Sequence, residues 1–84
     1  GVYFTSIEAF RKATTPRRLE LLNIIKAKKP ASINELALLA QRNIKNVAQD
    51  MKLLQQVGLL EVKEEQNRIA PQVNYDEIDV RIAV

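Results

Sequence analysis

An α+β fold is predicted for this 84-residue chain by three observations. Residues 5–57 carry successive stretches with apolar residues at helical spacing, most of them opened by a residue able to cap a helix. Residues 59–73 then read as two short strands around a polar tip, and in residues 78–84 Ile78, Val80, Ile82 and Val84 alternate against Asp79, Arg81 and Ala83. Finally, a helical pattern stops at Ala40-Gln41-Arg42-Asn43 and resumes at once, with neither glycine nor proline in the break.

The first stretch, TSIEAFRKA, has the form of a capping box. Thr5 is expected to accept from the backbone at Glu8 while Glu8 reaches back, and Ile7, Ala9, Phe10 and Ala13 supply apolar contacts. Phe4 is placed to staple its start. The second helix takes Thr15 as cap and Pro16 at the first helical position, and ends on lysines that complement the helix dipole. Its stripe of Leu19, Leu22 and Ile25, flanked by Leu21 and Ile24, marks it as the centre of the core, and Pro30 closes it.

Ser32 and Glu35 form another capping box, opening a third helix of about two turns. Asn43 caps the fourth, whose apolar positions Ile44, Val47, Ala48, Met51, Leu54 and Val57 follow the 3.6-residue period until Gly58 terminates it. In the hairpin, Leu60 and Val62 face one way and Ile69 returns, with KEEQN as the tip and Pro71 as the end of the returning strand. Ile78, Val80, Ile82 and Val84 supply the apolar face of a closing strand, which lies where an edge strand invites pairing with another chain.

A short amino-terminal helix, a three-helix core, a hairpin and a carboxy-terminal strand form the winged helix-turn-helix order. The break at 40–43 then has a purpose. One helix must cross the next through a turn of three or four residues, so that one face packs inward and the start of the following helix projects. Leu36, Ala37, and Leu39 or Ala40 are expected on the inward face with Ile44, Val47 and Ala48. Gln41 or Arg42 must serve where such turns often carry glycine.

The projecting face carries Lys45, Asn46, Gln49, Asp50 and Lys52. Amide side chains pair with adenine edges and lysine meets guanine edges or phosphates, so Lys45, Asn46 and Gln49 are the candidate DNA base contacts. Arg17, Arg18, Ser32, Arg42, Asn43 and Lys52, with Thr15, are the candidates for phosphate oxygens. Asp50 is awkward in that field; it can accept from a cytosine amino group or hold Arg42 or a lysine in place. On the wing, Lys63, Asn67 and Arg68 are the candidate contacts, and Glu61, Glu64 and Glu65 weaken their net charge.

Composition narrows the function classes. The chain is expected to form a single domain over 1–84, with a small core that buries about 60–65% of the unfolded surface. Forty-six per cent apolar and 27% charged residues describe a folded unit. There is no cysteine or histidine, which removes disulfides, thiolate chemistry, imidazole bases and the usual zinc ligands. Asp76, Glu77 and Asp79 match no calcium-loop spacing. No catalytic residue, metal or cofactor is expected. No apolar run reaches membrane-span length, and a cytoplasmic location is expected. The initial glycine suggests a trimmed or excised chain. Residues 1–60 hold ten Lys/Arg against four Asp/Glu, whereas residues 61–84 hold three against six, so a basic body precedes an acidic end.

Four motifs carry a resemblance: TPRRLELL at Thr15–Leu22, SINELA at Ser32–Ala37, KNVAQDMKLLQQVGLL at Lys45–Leu60, and YDEIDV at Tyr75–Val80. Together they resemble a family of small archaeal and bacterial winged helix-turn-helix regulators, more distantly related to the ArsR and MarR types. The likeness runs over essentially the whole chain. It implies sequence-specific double-stranded DNA binding as a homodimer and control of transcription. Some relatives act as antitoxins, which implies an alternative: a protein-binding winged helix whose acidic carboxy-terminal region engages a small toxin. By position, Lys45, Asn46 and Asp50 fall in the family's recognition-helix motif, and Gln49 holds a variable position suited to operator choice. The sensor cysteines of metal-responsive ArsR regulators are absent.

Overall fold

The computed structural model describes residues 2–82, with the side chains of Val2, Tyr3 and Glu65 outside the description. Its elements run β1 (Val2–Phe4), α1 (Ile7–Ala13), α2 (Pro16–Lys28), α3 (Ile33–Ala40), α4 (Ile44–Gln56), β2 (Glu61–Glu65), β3 (Arg68–Gln72) and β4 (Ile78–Val80). The α+β class and the winged helix-turn-helix order are those expected from the sequence. One element was not foreseen. The amino terminus forms β1, which pairs in parallel with β4 in the register Val2 with Ile78, Tyr3 with Asp79 and Phe4 with Val80.

Local chemistry explains most helix boundaries. Thr15 caps α2 by accepting from the Arg18 N–H, and Pro16 occupies the first turn, where a missing N–H costs nothing. Lys29 ends that helix in the left-handed conformation (φ 49°), as the following Pro30 disfavours continued α geometry. Ser32 Oγ accepts from Glu35 N–H at 3.1 Å, and the Glu35 carboxylate returns to the Ala31 N–H at 3.1 Å. The reciprocal box therefore forms with its return arm one residue earlier than usual. At α1 the cap is Ser6, accepting from Ala9 N–H, and not Thr5. Adjacent Thr and Ser are chemically equivalent candidates, and the helix starts one residue later.

The core is built from Leu21, Leu22 and Ile25 of α2, Leu36, Ala37 and Ala40 of α3, and Val47, Met51 and Leu54 of α4, closed by Leu59 and Leu60. Each fully buried leucine contributes about 1.5–3 kcal/mol of transfer free energy. Phe4 is buried from β1 and meets Phe10 edge-on, ring centroids 5.8 Å apart, which fixes the amino-terminal strand over α1. Some expected core positions lie outside instead. Leu19, Ile44, Ala48 and Val57 are exposed, because Leu21 and Leu22 define the inward side of α2 while Val47, Met51 and Leu54 suffice for α4; of the alternatives Leu39 and Ala40 on α3, Ala40 is the buried one.

The wing is a regular antiparallel hairpin, from Glu61 opposite Gln72 to Glu65 opposite Arg68. Gln66 and Asn67 alone make the turn, both with positive φ (49° and 66°), the geometry of a two-residue type I′ connection. The tip is therefore shorter than KEEQN and unbulged. Pro71 does not end the strand: it pairs opposite Val62 within β3, which a two-stranded sheet permits because one side of each strand is an edge. The wing extends a molecule whose principal dimensions are 46 × 22 × 20 Å.

Beyond the wing, Tyr75 donates its hydroxyl to the Leu59 carbonyl at 2.6 Å, and Asn74 Nδ2 donates to Glu61 at 2.9 Å. These two bonds tie the tail to the base of the hairpin. The closing strand is shorter than expected. Ile78 is partly buried, Val80 and Ile82 are exposed, and Val84 lies outside the described residues.

Candidate nucleic-acid interface

The turn between α3 and α4 is a left-handed stop without glycine. Gln41 adopts φ 55°, its N–H donates to the Leu38 carbonyl at 3.2 Å, and the Arg42 N–H donates to the Ala37 carbonyl at 3.1 Å. This pair of bonds is a Schellman motif, which satisfies the last carbonyls of α3 and redirects the chain. Asn43 follows as cap, its Oδ1 accepting from Lys45 N–H at 2.8 Å. The same device, now with Gly58 at φ 81°, ends α4: Gly58 N–H donates to Gln55 and Leu59 N–H to Leu54.

Val47, Met51 and Leu54 bury one side of α4, so Lys45, Asn46, Gln49 and Lys52 stand exposed on the others. Lys45, Asn46 and Gln49 occupy its first two turns, where a helix end can enter a groove. Asn43 is exposed beside them. Its Oδ1 is used by the cap, leaving the amide N–H groups to donate outward.

Asp50 belongs to the interior edge of this surface. One carboxylate oxygen accepts from Arg18 Nε at 3.1 Å and the other from Arg42 Nη2 at 2.8 Å. The three side chains are 21% (Arg18), 12% (Arg42) and 15% (Asp50) exposed. Arg18 additionally donates through Nη1 to the Lys12 carbonyl at the end of α1. Two guanidiniums on one carboxylate leave a net positive charge beneath the exposed face. Arg18 and Arg42, candidates for phosphate, are thus engaged inside the protein, and the expected alternative role of Asp50, holding Arg42, is the geometry found. Arg17, next in line on α2, is exposed.

Missed by sequence reasoning is a cleft of about 560 Å³ lined by Ser32, Ile33, Asn34, Ile44, Asn67, Arg68 and Ile69. It brings the starts of α3 and α4 to the wing tip, so Asn67 and Arg68 share an opening with the amino-terminal end of α4. Ile44 and Ile69, each 45% exposed, give it an apolar component suited to a thymine methyl. Ile44 is the first residue after its cap, and its side chain could have been placed outside on that ground. Ser32 reaches the same cleft with its hydroxyl already accepting from Glu35, leaving its O–H to donate. Lys63 lies on β2 away from this cleft's lining.

Asp76 pairs with Lys26 at 2.9 Å on the surface. Among the described residues no group of acidic side chains is arranged to hold a metal ion, and no helix is long and apolar enough to cross a membrane.

Comparison with known proteins follows the same lines. The family model HVO_A0114 matches residues 13–80. No curated protein matches. Among solved structures, a crystal structure of an Escherichia coli protein, described as a predicted DNA-binding transcriptional regulator, superposes with a TM-score of 0.71 at 21% identity, covering 82% of this chain and 74% of that one. The solution structure of the homodimeric winged helix-turn-helix DNA-binding domain of Mb0332 from Mycobacterium bovis, a possible ArsR-family regulator, superposes with a TM-score of 0.69 at 22% identity. That match covers 80% of this chain and 62% of the other. At these identities the likeness is one of fold.

Proposed function

We propose that this chain, which belongs to the HVO_A0114 family, is a cytoplasmic transcriptional regulator that binds double-stranded DNA sequence-specifically as a homodimer. The observation that carries the reading is the exposed Lys45, Asn46 and Gln49 face at the start of α4, held from behind by Asp50 between Arg18 and Arg42. Lys45, Asn46 and Gln49 contact base edges in the major groove. Arg17, Lys52, Asn43 and Ser32 meet phosphates, and Arg68 with Asn67 follows the backbone toward the minor groove. The charge of the Arg18–Asp50–Arg42 cluster adds to the attraction without contact. Similar folds described as a DNA-binding regulator and as a homodimeric DNA-binding domain support the same reading.

The test is a random-sequence DNA selection followed by competition binding. Lys45→Ala with Gln49→Ala is expected to erase preference for the selected sequence while leaving the fold intact, and undiminished preference would remove these residues from base recognition. Arg17→Ala, which removes one contact from each protomer of the dimer, is expected to weaken all sequences alike and lower the salt slope by about 2. An unchanged slope would exclude a phosphate contact at that position.

A further inference from the structure

The segment Ile78-Asp79-Val80-Arg81-Ile82 is its own complement when read antiparallel against a second copy. With Val80 opposite the partner's Val80, Ile78 meets the partner's Ile82 and Asp79 meets the partner's Arg81. Apolar side chains then share one face, and two opposite-charge pairs form on the other. We propose that β4 is the homodimer interface, joining the two-stranded sheets of two protomers into one four-stranded sheet across a two-fold axis. The inference rests on the dimeric reading above and specifies its contact.

The backbone supports this register. Arg81 N–H donates to the Phe4 carbonyl at 2.7 Å, so one residue past the end of β4 the N–H still turns toward β1. Strand alternation then points the N–H and C=O of Val80 the other way, to the edge that no described strand occupies. Two such outward residues facing each other across a two-fold axis exchange both hydrogen bonds, the closely spaced pair of an antiparallel ladder. The flanking Asp79 and Arg81 positions become non-hydrogen-bonded pairs, where cross-strand side chains approach most closely.

The surroundings also call for a partner. Parallel pairing occurs almost only in sheets covered on both faces, and an isolated strand pair is marginal in water. Here β1 and β4 form such a parallel pair by themselves, while Val80 and Ile82 stay 39% and 49% exposed. No proline or bulge blunts the β4 edge. The charges on it are one acidic and one basic residue, spaced symmetrically about Val80. A random unlike partner has no reason to match that symmetry; a second copy matches it automatically.

Charge reversal tests the contact on the full chain by analytical ultracentrifugation. Asp79→Arg and Arg81→Asp each place like charges opposite one another twice per dimer, and each alone is expected to raise the dimer dissociation constant roughly tenfold or more. An equimolar mixture of the two variants restores both attractive pairs, as does the double exchange in one chain, and both are expected to recover dimerisation. A companion measurement uses the cysteine-free background. Val80→Cys is expected to cross-link into dimers with a short bis-maleimide, whereas Cys in place of the highly exposed Leu38 is not. Dimers indifferent to both reversals, or cross-linked through position 38 instead, would overturn the strand interface and leave the dimeric reading intact. A parent chain that stays monomeric both free and on its selected DNA would overturn both.

Discussion

The amino-terminal end of α4 and the wing face the same cleft, yet they are held by different physics. Three of α4's side chains are in the core, its start is capped by Asn43, and Asp50 ties it to α2 and the turn through two partly buried arginines. The wing has its ladder of strand pairs and a two-residue turn, and the side chains described at its far end are exposed. The first region is positioned by tertiary contacts, and its orientation is a property of the whole domain. The base of the second also packs on the core through Val62 and the buried Pro71, but its tip is positioned by strand register alone, so the tip can be altered with little effect on the rest. The proposed roles match this difference: base reading requires the fixed geometry of the first region, and following a backbone of variable shape suits the second.

The contrast is broken most severely at Asp50. Asp50→Ala leaves two partly buried guanidiniums without their shared counter-charge, and the variant is expected to lose about 3 kcal/mol in urea unfolding. Its DNA discrimination should fall as well, although Asp50 touches no base. A loss within about 0.5 kcal/mol, the range of ordinary surface substitutions, would mean that the triad is not an anchor.

An intermediate effect is expected where the tail meets the base of the wing. Tyr75→Phe removes the donor to the Leu59 carbonyl and should cost about 1 kcal/mol. Burial raises the Tyr75 hydroxyl above its ordinary 10.0. The folded protein therefore holds that proton more tightly than the unfolded chain, so this contribution is complete below pH 10 and is lost as pH climbs through the raised value. Above pH 10 the parent should lose stability more steeply than Tyr75→Phe in parallel denaturation series. Identical slopes would show that the hydroxyl is not desolvated.

The smallest effect belongs to the wing tip. Ile69→Ala is expected to change stability by less than about 0.5 kcal/mol in the same unfolding assay. A cost near that of a buried leucine would show that the wing tip, like its base, packs against the domain and would dissolve the distinction between the two regions.

The parts of this fold that were legible in the sequence are those set within a turn or two of chain. Thr15, Ser32, Asn43 and Gly58 act on neighbours, so their spacing alone announces where helices start and stop. Ser6 eluded the same reasoning only because Thr5 beside it has the same chemistry. Helix period separated Val47, Met51 and Leu54 correctly but gave Ile44 and Ala48 to the core, since one helix turn admits more apolar positions than its neighbours can cover. What depended on distant contact was hidden. β1 is three residues long and its partner comes from the other end of the chain. Arg18 lies 32 positions before Asp50, so no periodicity joins them, although the misplaced negative charge of Asp50 already pointed to a cationic partner, with Arg42 among those named. In the candidate site, residue types and the projecting helix were readable. The engagement of Arg18 inside, and the cleft joining wing to helix, were not.

Arg18 has one further attachment whose meaning lies outside stability. Its guanidinium grips the Lys12 carbonyl at the end of α1 while holding Asp50 on α4. The amino-terminal helix and the projecting helix are therefore joined through a single side chain. Any event that displaces the end of α1 also pulls on one of the two bonds orienting α4. By thermodynamic reciprocity, a ligand that fixes α4 must equally restrain α1. The amino-terminal helix is in this sense a handle on the exposed face of α4.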